Sequence, residues 1–264
     1  MRRRALAFVL CVFAMPVWGD ALSQRLVEVL QTPRLLEQLS LEAERSADDV
    51  NRDFLGGEGG PVYADTVARL NDPARLVPII EETLAKELSE DDRKLVISFF
   101  ESELGQNIIQ LELSARSTIF DPAVEQAVRA HVAEEGVSPI VADMIVQGDL
   151  IERNVTDAME VLRQFYLGRI AGGALDLPAA DIESFVEANR DSVRFETQQW
   201  LEAYMTLAYS PLSDDDLQTY AEFWKTEAGS AFDRALFAAY LRVFVENSFA
   251  LGQIVGRLEA SDEI

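Results

Sequence analysis

The sequence predicts an all-α protein, a helical bundle built from two related helical halves. Three observations predict it. Apolar residues recur at the three- and four-residue spacing of an amphipathic helix, and no run alternates apolar and polar β-branched residues as a half-buried strand does. No Asn-Gly or Asp-Gly dipeptide marks a β-hairpin. The stretch LSEDDRKLVISFFESELGQ at residues 88–106 returns as LSDDDLQTYAEFWKTEAGS at residues 212–230.

Capping and helix-breaking residues divide the chain into predicted helices. A first helix starts near Ala21 and ends at Thr32-Pro33, and a second runs from Pro33 to about Phe54. GGEGGP at residues 56–61 predicts a flexible loop. Gly168, Gly172 and Gly173 predict another loop. The remaining helices are predicted at residues 62–70, from 73 to the first motif copy, 121–135, 139–167, 178–189, 191–208 and 230–258.

Each motif copy begins with the pattern of a capped helix. A serine is the expected N-cap, and the aspartate three residues later occupies the capping-box position. The acidic triplets at residues 90–92 and 214–216 place negative charge at the positive end of the helix dipole. A divalent-cation site is the alternative, but consecutive helical residues point in different directions, and the spacing of a calcium loop is absent. The sequence therefore predicts no metal site.

The second part of the motif predicts a core anchor and a corner. An aromatic pair on the third turn anchors the helix in the core, the alternative being a platform for a ligand. The following glycine either ends a helix in the left-handed conformation or lets two helices approach closely. Each copy is therefore a helical hairpin. The predicted structural residues of the two copies are Ser89, Asp92, Phe99, Phe100, Gly105, Ser213, Asp216, Phe223, Trp224 and Gly229.

An acidic helix start followed by a phenylalanine–aromatic pair and a glycine resembles the domain of unknown function 2059, here in two copies. The pattern of that family ends in Ser-Pro-x-Gly-Gln. Residues 102–106 read SELGQ and residues 226–230 read TEAGS, so the proline is absent from both copies and the glutamine from the second. The resemblance covers the two motif copies and, loosely, their flanking helices. It implies a helical protein exported to the Gram-negative periplasm, and it implies no activity.

The N-terminus has the layout of a secretory signal peptide. Three arginines precede an apolar run from Ala5 to Trp18, which is shorter than the roughly 20 residues of a membrane span. Small residues at positions 17 and 19 predict cleavage after Gly19; an uncleaved anchor is the alternative. The predicted organisation is a signal peptide at 1–19, a first helical repeat at 20–136 and a second at 137–264. We expect a periplasmic protein with no stable membrane span after cleavage.

Cysteine content and charge restrict the chemistry. Cys11, the single cysteine, leaves with the signal peptide, so disulfides, thiolate metal sites and a cysteine nucleophile are not expected in the mature chain. The net charge of −23 becomes −26 once the three N-terminal arginines are lost. Such a surface repels nucleic acid and anionic lipid headgroups. A well-solvated exported protein explains this charge; an acidic binding surface is the alternative.

No catalytic motif is present. His131 is the single histidine, and without a thiol partner it supports neither a zinc site nor a cysteine dyad. The Gly-x-Ser-x-Gly elbow, the dinucleotide fingerprint and the phosphate loop are all absent, so no cofactor is predicted. Paired carboxylates could serve a hydrolase, but the 46 acidic residues make any chosen pair arbitrary.

Aromatic residues are concentrated in the second half of the chain, where residues 141–264 contain 15 of the 23. A larger core in that half explains this, and an oligomer interface or an aromatic groove is the alternative. The groove would accept a peptide or lipid-like ligand, or a segment of an envelope protein. The residues of this candidate groove are Trp200, Tyr204, Tyr220, Trp224 and Tyr240.

The sequence thus favours an exported, non-enzymatic binding or interaction module. Its basis is the repeated motif, the export signal and the lack of catalytic motifs. An envelope chaperone or assembly factor is one alternative, and it predicts an exposed apolar groove in the second half. A carboxylate-based hydrolase is the other, and it predicts a concave pocket with two carboxylates and no basic partner.

Overall fold

A computed structural model of the protein describes residues 20–174 and 178–262. Within these ranges the regular secondary structure is entirely helical, which confirms the all-α prediction. The predicted signal peptide lies outside the described residues. The helices are α1 (Ala21–Val29), α2 (Thr32–Leu55), α3 (Gly60–Leu70), α4 (Pro73–Glu87), α5 (Glu90–Phe100), α6 (Glu103–Ile119), α7 (Pro122–Glu135), α8 (Pro139–Gln147), α9 (Leu150–Gly172), α10 (Ala179–Ala188), α11 (Arg190–Tyr209), α12 (Asp214–Lys225) and α13 (Glu227–Asp262).

The two motif copies begin with the same cap. Ser89 Oγ accepts a hydrogen bond from the backbone N–H of Asp92 at 3.1 Å, and Ser213 Oγ accepts one from Asp216 at 3.2 Å. Each hydroxyl also donates to the carboxylate of the same aspartate, at 2.6 and 2.7 Å. In a full capping box the acidic side chain accepts from the N-cap backbone N–H. In both copies the aspartate is instead the partner of the serine hydroxyl.

The two corners are also built alike. Ser102 caps α6 by accepting from the N–H of Gly105 at 3.0 Å, and Thr226 caps α13 through Gly229 at the same distance. Neither glycine has a positive φ. A Cβ at Gly105 would overlap the carbonyl oxygen of Phe99, and a Cβ at Gly229 would overlap the equivalent oxygen of the second copy. Close approach of two helices, and not a left-handed helix end, therefore explains both glycines.

The aromatic pairs of the two copies meet in the main core. The rings of Phe99 and Phe223 stack with centroids 4.0 Å apart, and Phe100 packs edge-on against Phe223 at 5.5 Å. Trp224 stacks on Phe232 at 5.7 Å. This core takes buried residues from α1, α2, α4–α6, α8 and α11–α13, and thus from both predicted repeats. The local geometry of the hairpins is the same; a relation between the whole halves stays a prediction.

Two predicted boundaries in the second half are wrong. The helix expected at 139–167 is interrupted at Gly148-Asp149, where Asp149 has φ of 49° and starts a new helix. Gly168 and Gly172 do not lie in a loop but inside α9, and only Gly173, with φ of 97°, ends that helix. A Cβ at Gly168 or Gly172 would overlap the backbone of α13. These two glycines therefore permit close helix packing.

The loop predicted at residues 56–61 is shorter than expected. Gly56 and Gly57 have φ of 61° and 86°, and α3 already begins at Gly60. The side-chain oxygen of Asn51 accepts from the N–H of Gly59 at 2.9 Å, and the hydroxyl of Tyr63 donates to the carbonyl of Ala47 at 2.6 Å. The segment is therefore a tight turn, and these two hydrogen bonds hold it and the start of α3 against α2.

Helices α9 and α13 form the longest contact of the bundle and run parallel. Arg153 pairs with Asp233 near the start of both helices, and Ser248 donates to the carbonyl of Val161 in the middle at 2.8 Å. Near their ends Arg169 pairs with Glu259. Helix α13 also contacts α2, α3, α4, α5 and α12. Across the described residues no helix combines the length and the apolarity that a bilayer crossing requires.

Candidate functional site

A cavity of about 140 Å³ lies in the main core, between the two motif hairpins and α2 and α11. Much of its wall is aliphatic, with Leu35, Ile109, Leu113 and Leu236 among the residues that line it. Glu112 and Arg116 of α6 also line it and supply its charged groups. An apolar pocket with a few converging polar groups is the usual form of a small-molecule site.

The structure brings the predicted groove residues together around this cavity. Tyr204 of α11, Tyr220 and Trp224 of α12 and Tyr240 of α13 all line it. Trp200, one turn before Tyr204, stacks on the Tyr204 ring with centroids 5.0 Å apart and planes 6° from parallel. The five aromatic side chains thus form one cluster, although the first and the last are 40 positions apart in the sequence. That they hold a ligand stays a prediction.

Glu112 is the central polar group of the cavity, and the sequence analysis did not single it out. Its Oε1 accepts hydrogen bonds from the hydroxyls of Tyr209 and Tyr220, each at 2.8 Å. The hydroxyl of Tyr204 donates to the Glu112 backbone carbonyl at 3.3 Å. Burial raises the pKa of the Glu112 carboxyl, and the two tyrosine hydrogen bonds offset part of that increase.

Arg116, one turn after Glu112, is held by a different acid. Its Nε and Nη2 donate to the two carboxylate oxygens of Glu42, both at 2.8 Å. The guanidinium carbon also lies 5.5 Å from the centre of the Trp200 ring, within cation–π range. Because this ion pair is bidentate, the charges of Arg116 and Glu42 largely offset each other, and neither residue forms an ion pair with Glu112.

A sequence signal for Glu112 does exist. Ile108 is four residues before it and Ala115 three residues after it, and both are buried. Residues at this spacing share one face of a helix, so Glu112 is an acid in an apolar register. An acid on an apolar face is rare without a partner, and its partners, Tyr209 and Tyr220, are about a hundred residues away in the sequence. Because the partners are so far apart in the sequence, the sequence analysis did not identify Glu112 as a site residue.

The other predicted residues lie elsewhere or serve the fold. Phe100 and Trp224 line the cavity, whereas the capping residues lie at exposed or half-exposed helix starts away from it. His131 is exposed on α7. Over the described residues, no three histidine, cysteine, aspartate or glutamate side chains are grouped closely enough to hold a metal ion.

The raised pKa of Glu112 predicts how stability depends on pH. The folded state keeps this proton at pH values where the unfolded chain has lost it, so rising pH above the ordinary value of 4.5 lowers the free energy of unfolding. Glu112→Gln removes the proton exchange and keeps an acceptor for Tyr209 and Tyr220. We expect the stability of the native chain relative to this variant to fall as pH rises, and to level off above the folded pKa.

Urea denaturation of both proteins between pH 4 and pH 9 measures this difference. The hydroxyls of Tyr209 and Tyr220 contact the carboxyl, and that of Tyr204 contacts the backbone carbonyl of the same residue. Tyr240 and Arg116, the latter paired with Glu42, also line the cavity. The pKa of each of these four tyrosines is raised above 10, so none of them titrates in the tested range. A relative stability that is constant or increases with pH contradicts the prediction.

Comparison with known proteins gives one match. Residues 74–134 match the family model DUF2059, described as an uncharacterized protein conserved in bacteria, so the resemblance to that family is confirmed over α4–α7. No curated protein and no solved structure matches the chain. The matched segment contains the first motif copy, Glu112 and Arg116. The aromatic residues from α11–α13 lie outside it, and a second copy of the family motif stays a prediction.

Proposed function

We propose that this protein, which carries a DUF2059 domain over residues 74–134, is an exported binding protein that holds a small ligand in the cavity beside Glu112. The observation that carries the proposal is a cavity of about 140 Å³ whose wall combines aliphatic side chains, aromatic rings and a half-buried carboxyl group. Binding and not catalysis is its activity. The family description names no activity that could guide the choice.

The size of the cavity sets the size of the ligand. An engineered apolar cavity of about 150 Å³ in another protein binds benzene. The present cavity of about 140 Å³ therefore accommodates one aromatic ring or a short alkyl chain with a polar head. A peptide segment or an entire lipid chain exceeds this volume. Size thus favours a small molecule over the peptide or lipid-like ligand expected from the aromatic residues.

The polar groups favour binding over hydrolysis. Hydrolysis by two carboxylates needs one to donate a proton and the other to act as nucleophile or base. Among the described residues that line the cavity, Glu112 supplies the one carboxylate, and it forms no ion pair; Glu42 is engaged by Arg116 in a bidentate pair. A single carboxyl that is fixed by two tyrosine hydroxyls is suited to orient a ligand.

Export is the second part of the proposal, and it rests on the leader pattern of residues 1–19. Cleavage after Gly19 leaves Asp20 as the first residue. Asp20 Oδ1 accepts from the N–H groups of Leu22 and Ser23 at 3.1 and 3.0 Å, and Oδ2 pairs with Arg93 at 2.5 Å. A cut at this position therefore preserves the N-cap of α1 and its link to α5. N-terminal sequencing of the exported protein should begin at Asp20.

Filling the cavity tests the binding function. The full chain is expressed with its leader in a Gram-negative host, purified from the envelope fraction and examined by native mass spectrometry and by NMR titration with benzyl alcohol. Leu236→Phe places a larger side chain in the cavity, and we expect it to weaken binding about tenfold or more, which corresponds to about 1.4 kcal/mol. Circular dichroism checks that the variant folds.

Leu95→Phe is the matched control, because Leu95 is 60 % exposed on α5 and does not line the cavity. It should bind as the native chain does. Two results contradict the proposal: equal binding by the Leu236→Phe and native proteins, or no co-purified molecule together with no perturbation of cavity residues by benzyl alcohol. Strong binding of the native protein to a hydrophobic dye would instead support the chaperone alternative.

A further inference from the structure

Glu112 is a half-buried carboxylate with one oxygen engaged in hydrogen bonds. Both tyrosine hydroxyls donate to Oε1, and no described residue donates a hydrogen bond to Oε2. No basic side chain among the described residues forms an ion pair with Glu112, since Arg116 is engaged by Glu42. Partial removal from water disfavours the ionised form of this carboxylate, and a counter-charge or further donors beside it would favour that form. The cavity beside Oε2 is the place where such a group can sit.

Aromatic faces surround the same space. Tyr204, Trp224 and Tyr240 line the cavity together with Glu112. The face of an aromatic ring carries negative partial charge and attracts a cation, most strongly for tryptophan. The hydroxyl of Tyr240 forms no hydrogen bond with a described residue. A carboxylate with aromatic walls is an arrangement that recognises an ammonium group.

We propose that the cavity binds a compact organic amine, whose ammonium group pairs with Glu112 and whose ring or short alkyl chain contacts the apolar wall. This inference rests on the proposed binding function and adds the chemical class of the ligand. The ammonium donates a hydrogen bond to Oε2 of Glu112 and lies against the rings of Trp224 and Tyr240. The ligand supplies the counter-charge that the protein itself does not provide.

The Arg116 guanidinium does not oppose a cation in this site. It forms the bidentate pair with Glu42, and neither partner is fully exposed, with 20 % and 30 % of the side chains accessible. Pairing with Glu42 offsets the charge that Arg116, which also lines the cavity, would otherwise present to a cation. A ligand with a carboxylate or phosphate would place a second negative charge beside Glu112, which disfavours that class of ligand.

Two probes of the same size test the inference. Benzylamine is a cation at pH 7, whereas benzyl alcohol is neutral and differs only in the polar head. For the native chain, titration calorimetry should give an affinity for benzylamine about tenfold or more above that for benzyl alcohol, since a hydrogen bond between two charged groups is roughly twice as strong as a neutral one. Glu112→Gln keeps the shape of the side chain and should remove this preference, so that its affinities for the two probes differ by less than about twofold.

Glu103→Gln is the control for long-range charge. Glu103 is an exposed acid on the same helix, so this variant loses the same charge at a distance from the cavity. It should keep the preference for benzylamine. Equal affinity of the native protein for both probes, or an equal loss of benzylamine binding in both variants, overturns the amine inference and leaves the binding function intact. Failure of both probes to bind overturns the binding function as well.

Discussion

Replacing Gly252 with alanine is expected to lower the free energy of unfolding by about 3 kcal/mol, the upper range for an overpacked core. A Cβ at this position would overlap the carbonyl oxygen of Phe165 in α9. Gly168 and Gly172 face α13 in the same way, and Gly256 faces Arg169. The backbones of α9 and α13 are therefore in direct contact. An added methyl group must push these two helices apart, although they form the longest helix–helix contact of the bundle.

The sign of the effect makes this test decisive. At an unconstrained position inside a helix, glycine to alanine stabilises a protein by roughly 1 kcal/mol. Gly57→Ala is the control, because a Cβ there meets nothing within 4 Å and only its φ of 86° opposes the change. That variant should lose about 1 to 2 kcal/mol. Urea denaturation measures both, and a Gly252→Ala protein as stable as the native chain would contradict the close packing.

Arg169→Ala is expected to lower the free energy of unfolding by about 3 kcal/mol, because it leaves the partner of a buried ion pair without compensation. Arg169 is 8 % exposed, and its Nη2 and Nε donate to the Glu259 carboxylate at 2.7 and 3.1 Å. Its guanidinium carbon also lies 4.4 Å from the centre of the Phe54 ring. One side chain thus joins α9, α13 and α2.

The matched control is Arg190→Ala. Arg190 pairs with Glu187 at 2.8 Å, but these side chains are 34 % and 65 % exposed, so the loss should be below about 1 kcal/mol. Arg169→Lys should fall between the two, since lysine keeps the charge and loses the bidentate geometry. Thermal and urea unfolding measure all three variants. Losses of the same size for Arg169→Ala and Arg190→Ala would show that the buried pair has no special role.

The sequence predicts helix starts well because a cap is a local feature. Ser89, Asp121, Ser138 and Ser213 each accept a hydrogen bond from a backbone N–H within the next three residues, so the residues that start a helix are visible side by side in the chain. The fold class followed from the same local information. The helices that begin at these residues are confirmed.

The wrong predictions concern positions whose conformation depends on contacts between residues that are far apart in the sequence. Gly168 and Gly172 suggested a loop, because glycine is usually a helix breaker, yet α13 packs on them and stabilises the helix. At Gly148-Asp149 the opposite error occurred, since Gly148 follows α8 directly and was not used as a stop signal. The aromatic part of the cavity was visible in composition, whereas Glu112 was not, since its tyrosine partners reach it only after the chain has folded.

Helix α13 is the last described element of the chain, and it completes the packing of helices that begin as early as residue 32. A ribosome adds about 5–20 residues each second, so several seconds or more pass between the synthesis of the earlier helices and the synthesis of α13. Until it arrives, the glycine face of α9 has nothing to pack against and the core stays open. The native packing of α9 can form only after α13 has been released. For the export that we propose, this delay keeps the chain unfolded while it crosses the membrane.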